Sequence, residues 1–320
     1  MKKWELFFWL AQFLSLRHFK LSPMLGNLPP ISEDRAIAPS KLTAIPVFYT
    51  PLMVADSGGF SPSSAKPKAV MESWCKLDIP LDVMTPEPVS VEDIARAHLP
   101  AFVDAVLSCQ AENGFGNSSE EVAKSLPYTS GAMLAAAREA LRNGKAAVAP
   151  CAGFHHARYA SPGGFCTFNG LMVSSLALHA SGEAKRVGIL DFDQHYGDGT
   201  DNIIEHLKIK WIKHYTAGKH YGFAGEAKRF LMSIPSLVKR MRACDVILYQ
   251  AGADPHIDDP LGGWLTTEQL YERDLIVFET AAELGIPIAW NLAGGYQTPL
   301  RKVLQIHDGT MRACAVTYAA

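Results

Sequence analysis

Six short apolar runs, most of them separated by helical stretches, restrict this chain to a small set of architectures. The runs cover residues 146–150, 186–190, 209–214, 245–250, 286–291 and 313–318, and helical patterns fill 169–181, 226–241 and 266–284. The last of these opens on a capping box, Thr266 to Gln269, and stops at Gly285. Strands that alternate with helices are joined by crossovers, so they pair in parallel and are covered on both faces. The expected fold is α/β: one domain of three α/β/α layers around a central, mainly parallel sheet. Upstream, residues 42–54 read as the first strand of the core and 55–68, with Gly58 and Gly59, as a long loop. Helical spacing covers 90–111 with a break at Pro100, and 130–143 forms an alanine-rich helix stopped by Gly144.

With 320 residues, 48% of them hydrophobic and 19% charged, the chain can bury a large core and is not disordered. A net charge of -2 provides no general attraction to nucleic acid or to an anionic membrane, although local patches are left open. The six cysteines, at 75, 109, 151, 166, 244 and 314, show neither CxxC pairing nor the density of a disulfide-stapled domain. They read as buried apolar residues of a protein in a reducing, cytoplasmic compartment.

Residues 1–41 read as an N-terminal extension or arm, and 42–320 as the domain that carries the sheet and the polar segments at its strand ends. The first sixteen residues are basic and then apolar, as in a secretory signal, but Glu5 and Gln12 interrupt them and no small-residue cleavage site follows. The stretch is too short to span a bilayer. A helix packed on the domain, or against another copy of the chain in a homo-oligomer, is the favoured reading.

In doubly wound sheets ligands bind beyond the carboxyl ends of the strands. Four such ends carry polar chemistry here: Cys151–Ala157 with His155 and His156, Asp191–Gly199, Ala251–Asp254, and Leu292–Tyr296. In an extended backbone Asp191, Asp193 and His195 project to one side. Carboxylates and an imidazole suit a zinc-like ion, and Asp254 supplies a third ligand to Asp193 and His195. That leaves coordination positions open, as in a catalytic site. The adjacent histidines offer a proton acceptor and an electrostatic partner, each requiring a carboxylate, with Asp191 and Asp198 unassigned nearby. Tyr296, after the flexible pair Gly294-Gly295, can donate a hydrogen bond to an oxygen that becomes negative.

These segments, with Gly164-Phe165-Cys166-Thr167-Phe168-Asn169 and Asp259-Pro260-Leu261-Gly262, resemble in type and order the histone deacetylase family, the zinc-dependent branch of the arginase/deacetylase fold. The resemblance covers roughly residues 42–318. It implies one catalytic zinc ion on Asp193, His195 and Asp254, and a structural potassium ion near 191–195 held by backbone carbonyls with the Asp191 side chain. It implies further that His156, oriented by Asp198, is general base and then general acid. His155, paired with Asp191, tunes the electrostatics, Tyr296 stabilises the oxyanion, and Gly164 and Phe165 line the substrate tunnel. The implied substrate is an acylated amine: acetyl-lysine in a protein, an acetylpolyamine or a small metabolite.

Gln194 and Tyr196 stand where many relatives have an aliphatic residue and a second histidine, and 212–220 departs from the usual run, which bears on the potassium contacts. No acidic residue near 114–119 matches the one that anchors peptide backbones in eukaryotic members. Two other readings are a noncatalytic binding protein that keeps the fold, and an arginase-like dimanganese ureohydrolase. For the latter, Gly197 occupies the position of a needed second-metal ligand.

Overall fold

The computed structural model describes residues 43–319, so the N-terminal arm and its apolar stretch lie outside the described residues. The chain runs β1 (Ile45–Phe48), α1 (Lys66–Trp74), β2 (Leu81–Met84), α2 (Val91–Ala97), α3 (Pro100–Leu107), α4 (Glu120–Asn143) and β3 (Ala146–Val148). It continues through α5 (Gly170–Ala180), β4 (Val187–Asp191), α6 (Asp198–His206), β5 (Ile212–Thr216), α7 (Ala227–Lys239) and β6 (Val246–Gln250). The last elements are α8 (Thr267–Glu283), β7 (Ile288–Asn291) and α9 (Arg301–Tyr318).

The seven strands form one sheet in the order β2-β1-β3-β7-β6-β4-β5, and every pair is parallel. Helices pack on both faces over two buried clusters. One, around Trp74, Phe230, Trp264 and Trp290, lies under α1, α7, α8 and α9; the other, around Phe154, Phe168 and Leu171, lies under α4 and α5. The inner strands β3, β4, β6 and β7 are buried at every residue, which is why they read as continuous apolar runs.

Three sequence expectations change. Residues 313–318 are not a strand but the end of α9, whose buried positions 303, 306, 307, 310, 311, 313 and 314 follow helical spacing. A six-residue window of small and β-branched residues is too short to reveal that period. The strand β2 was missed because its pattern is half-exposed, with Asp82 inside it. The first strand is only Ile45–Phe48, since Pro51 opens a turn of 3-10 helix at 51–53. Elsewhere caps behave as the sequence indicates: Thr266 and Gln269 form a reciprocal box, and Gly144 closes α4 at φ 67. Among the described residues no helix is long and apolar enough to cross a membrane.

Candidate metal centre and its paired histidines

The chain following β3, β7, β6 and β4 carries all the polar chemistry, and these four strands are consecutive neighbours in the sheet. Their carboxyl ends therefore open onto one place. From β4 comes Asp191, the last residue of the strand, followed by a bend at 193–195. The bend replaces the extended backbone expected for 191–195: His195 N–H donates to Asp193 Oδ1 at 2.9 Å, and Asp193 N–H to Asp191 Oδ1 at 3.1 Å. Side-chain alternation is therefore not what gathers Asp193 and His195. The turn does it.

Asp193, His195 and Asp254 present one ligand atom each within 4.8 Å of one another, and among the described residues they are the one such cluster of three. His195 Nδ1 lies 3.2 Å from Asp193 Oδ1 and 3.1 Å from Asp254 Oδ2. Ligand bonds of about 2.0–2.2 Å, as zinc makes to nitrogen and oxygen, suit donors separated by this much. Burial opposes the charge on His195, but the two carboxylates outweigh it and raise the imidazole to about 11. Burial and the neighbouring Asp193 push Asp254 up to about 7, while His155 and His195 hold Asp193 well below the carboxylate range against its own burial. Two fully buried carboxylates thus compete for one positive charge. A divalent cation satisfies both, so the donor set fits zinc in charge, element and spacing.

Two histidine–carboxylate pairs stand beside this cluster. His155 Nδ1 is 2.8 Å from Asp191 Oδ2, and His156 Nδ1 is 2.7 Å from Asp198 Oδ1. Asp191 also accepts from Gln250 Nε2 at 3.2 Å, and Asp198 from Arg158 Nη2 at 2.5 Å. Burial works against a charge on His155, but Asp191 and Asp193 overcome it and raise the ring to about 9. A divalent ion on Asp193 would cancel part of that pull and leave Asp191 as its main source. Burial and the neighbouring His155 push His156 down. The ring centroids of His156 and His195 are 5.9 Å apart.

Tyr296 is buried, with its ring 5.6 Å from that of Phe165 and stacked at 6.1 Å and 14° on the exposed Phe60. Burial and the charges of Asp254 and Asp193 raise its phenol well above the usual range, so it stays a donor. The flexibility expected of Gly294-Gly295 is not what these glycines provide. A Cβ on Gly294 would lie 2.2 Å from Asp254 Oδ2, and the Gly294 N–H donates to Asp193 Oδ2 at 2.8 Å. The Tyr296 N–H is itself held by Asp259 Oδ2 at 2.8 Å. Gly164 likewise makes room, because its Cβ would meet His156 Cδ2 at 2.4 Å. Phe165 adopts φ 63, a strained value for a non-glycine residue, on the wall beside Tyr296. Cys151 and Cys166 are buried and their thiols pushed far up, as lining residues rather than nucleophiles.

Two buried cations escaped the sequence reading. Lys66 donates from Nζ to the carbonyls of Ala293 at 2.7 Å and Gly294 at 3.3 Å, and burial lowers its ammonium to about 8 against the pull of Asp254 and Asp193. Arg273, on α8, donates from Nη1 to the carbonyls of Phe192 at 3.1 Å and Gly252 at 2.7 Å, and from Nε to Asp274 at 2.8 Å. It ties together the backbone leading into Asp193 and Asp254. A lysine before Pro67 and an Arg-Asp pair inside an amphipathic helix look like surface residues in sequence, so no local signal marks either.

Where the chain departs from the expected pattern it builds a separate network. Tyr196 donates its hydroxyl to Asp201, which also takes His214 Nδ1 at 2.7 Å, and Lys219 lies 4.6 Å from the Tyr196 ring centroid.

The histone deacetylase domain profile matches residues 62–229. The rice protein named histone deacetylase 10, chloroplastic, is 24% identical over 83% of this chain and 73% of its own length. The probable deacetylase of Methanothermobacter thermautotrophicus is 26% identical over 74% of this chain and 81% of its own. The crystal structure of the HDA15 HD domain superposes with a TM-score of 0.72 at 19% identity, over 87% of this chain and 91% of that one, a likeness of fold. The profile spans more than half of the chain and includes both histidine–carboxylate pairs and the 191–199 segment, so the chain belongs to the histone deacetylase domain family.

Proposed function

We propose that this protein is a zinc-dependent amidohydrolase that removes acetyl, or another acyl group, from an amine such as acetyl-lysine or an acetylpolyamine. The convergence of two buried carboxylates and the half-buried His195 on one point, with two histidine–carboxylate pairs and a protonated phenol around it, carries the reading. Zinc on Asp193, His195 and Asp254 would polarise the amide carbonyl and lower the pKa of a water. His156, its Nδ1 committed to Asp198, takes a proton from the attacking water at Nε2 and returns it to the departing amine. His155 keeps its Nδ1 proton on Asp191 and contributes positive charge beside the reacting atoms. Tyr296 donates its hydroxyl proton toward the carbonyl oxygen as that oxygen gains charge. Phe165 and Gly164 line the approach, and a potassium ion on backbone carbonyls at 191–195 accompanies the reading through the family resemblance.

The test is turnover of acetyl-lysine peptides, acetylpolyamines and longer acyl-lysines by the zinc-replete protein. Asp254→Ala should abolish it together with stoichiometric zinc binding. Failure to hydrolyse any of the panel would move the reading to a noncatalytic binding protein, and full activity in Asp254→Ala would remove the metal assignment.

A further inference from the structure

Residues 207–244 contain nine lysines and arginines against one acid, Glu226, in a chain whose net charge is -2. Glu226 is already paired with Arg229. Four of the cations converge. A groove of about 740 Å³ lies between β5 and the C-terminal end of α7, and Lys213, Lys239, Arg240 and Arg242 line it without any carboxylate. All four are exposed. One wall of the groove is β5 itself, from Ile212 to Tyr215. This is an edge strand: among the described residues it pairs with β4 alone.

Two ordinary explanations account for part of this. Lysines on an edge strand discourage pairing with stray chains, and Lys213 serves that purpose while donating to the Arg240 carbonyl at 2.9 Å. Lys239, in the last turn of α7, complements the helix dipole. Arg240 caps the same helix end and lies 6.0 Å from the Tyr215 ring centroid, but neither explanation covers Arg242, which follows the helix on the facing wall.

We propose that this groove docks an extended acidic segment of a partner polypeptide, paired alongside β5 with its carboxylates against Lys213, Lys239, Arg240 and Arg242. Charge complementarity selects the partner's sign, and an open strand edge beside a groove selects an extended backbone over a helix. A nucleic-acid duplex or an anionic membrane would meet the cations from outside and leave the strand edge unpaired. The inference is independent of the reaction at the metal centre.

The probe is a fluorescein-labelled peptide of alternating Glu and Val, about ten residues long, the upper length of an ordinary strand. Its binding to the full chain is followed by anisotropy. We expect saturable binding that weakens with salt, and that falls at least roughly tenfold both in Lys239→Glu/Arg242→Glu and when alternate peptide nitrogens are methylated. The double variant, which gives up the helix-dipole contribution of Lys239, should melt a few degrees lower but keep the circular dichroism of the parent at the assay temperature, which separates lost binding from lost folding. Binding unaffected by N-methylation, by the charge reversal, or outcompeted by duplex DNA or anionic vesicles at equal charge would overturn the proposal.

Discussion

His155 and His156 adjoin in sequence, yet their surroundings push them apart: two carboxylates raise the first to about 9, while burial and that neighbour depress the second. Divergent environments of this kind are how one residue type supplies both a fixed charge and a base at neutral pH. Tyr296 is the residue whose loss separates chemistry from assembly. Tyr296→Phe should keep zinc affinity and melting temperature and lower kcat by about 10²–10³, the usual effect of removing one oxyanion donor. Steady-state kinetics with metal analysis reads both quantities. Arg273 tests the opposite case, because its guanidinium touches two backbone carbonyls and Asp274 but no reacting atom. Arg273→Met strands the buried Asp274 and two carbonyls, so denaturant unfolding should show a loss of about 3–5 kcal/mol. Arg273→Lys, which keeps the charge but not the fork, should restore part of that stability while zinc affinity, measured by chelator competition, stays weakened.

At the scale of elements, the junction of α2 and α3 supports the histidine loop. His98, which caps the end of α2, sits fully buried with Nδ1 donating to the Arg158 carbonyl at 2.9 Å and Nε2 accepting from Asn169 N–H at 2.9 Å. Burial lowers it to about 4 from its ordinary 6.5. Above pH 6.5 it is neutral in both folded and unfolded chains. As pH falls from 6.5 toward 4 only the unfolded chain takes up the proton, so folding loses roughly 3 kcal/mol from this group over that window. His98→Gln keeps a donor and an acceptor without titrating, and the slope of unfolding free energy against pH between 6.5 and 4 should flatten by that amount. An unchanged slope would show that the ring is not held neutral. The turn after β7 is equally specific: Gly294→Ala drives a Cβ into Asp254, and zinc binding should be lost before the fold is. Both cases show local chemistry decided by what another element places beside a residue.

For the whole molecule, the candidate ligands Asp193 and His195 follow β4 and Asp254 follows β6, so zinc held by them would stabilise the pairing of these neighbouring strands in the central sheet. At free zinc a hundredfold above Kd the native state should gain about 2.7 kcal/mol, and the melting temperature rise by roughly 5 °C. Calorimetry with and without chelator measures this, and Asp254→Ala should show no shift. The chain's residues determine the α/β class, most helix ends and the identity of the polar strand ends, because apolar runs, caps and glycine stops act through neighbours in sequence. The pairings His155–Asp191 and His156–Asp198 were foreseeable only through resemblance to a family, since 36 and 42 residues separate the partners. Tertiary structure decided what no local pattern carries: that the order β3-β7-β6-β4 makes four distant strand ends neighbours. It decided too that a bend rather than a strand aims Asp193 and His195, and that Lys66 and Arg273 are buried supports of the site. The physical reason is the same throughout. Burial, and with it the cost or worth of a charge, belongs to the packed chain and not to any stretch of its sequence.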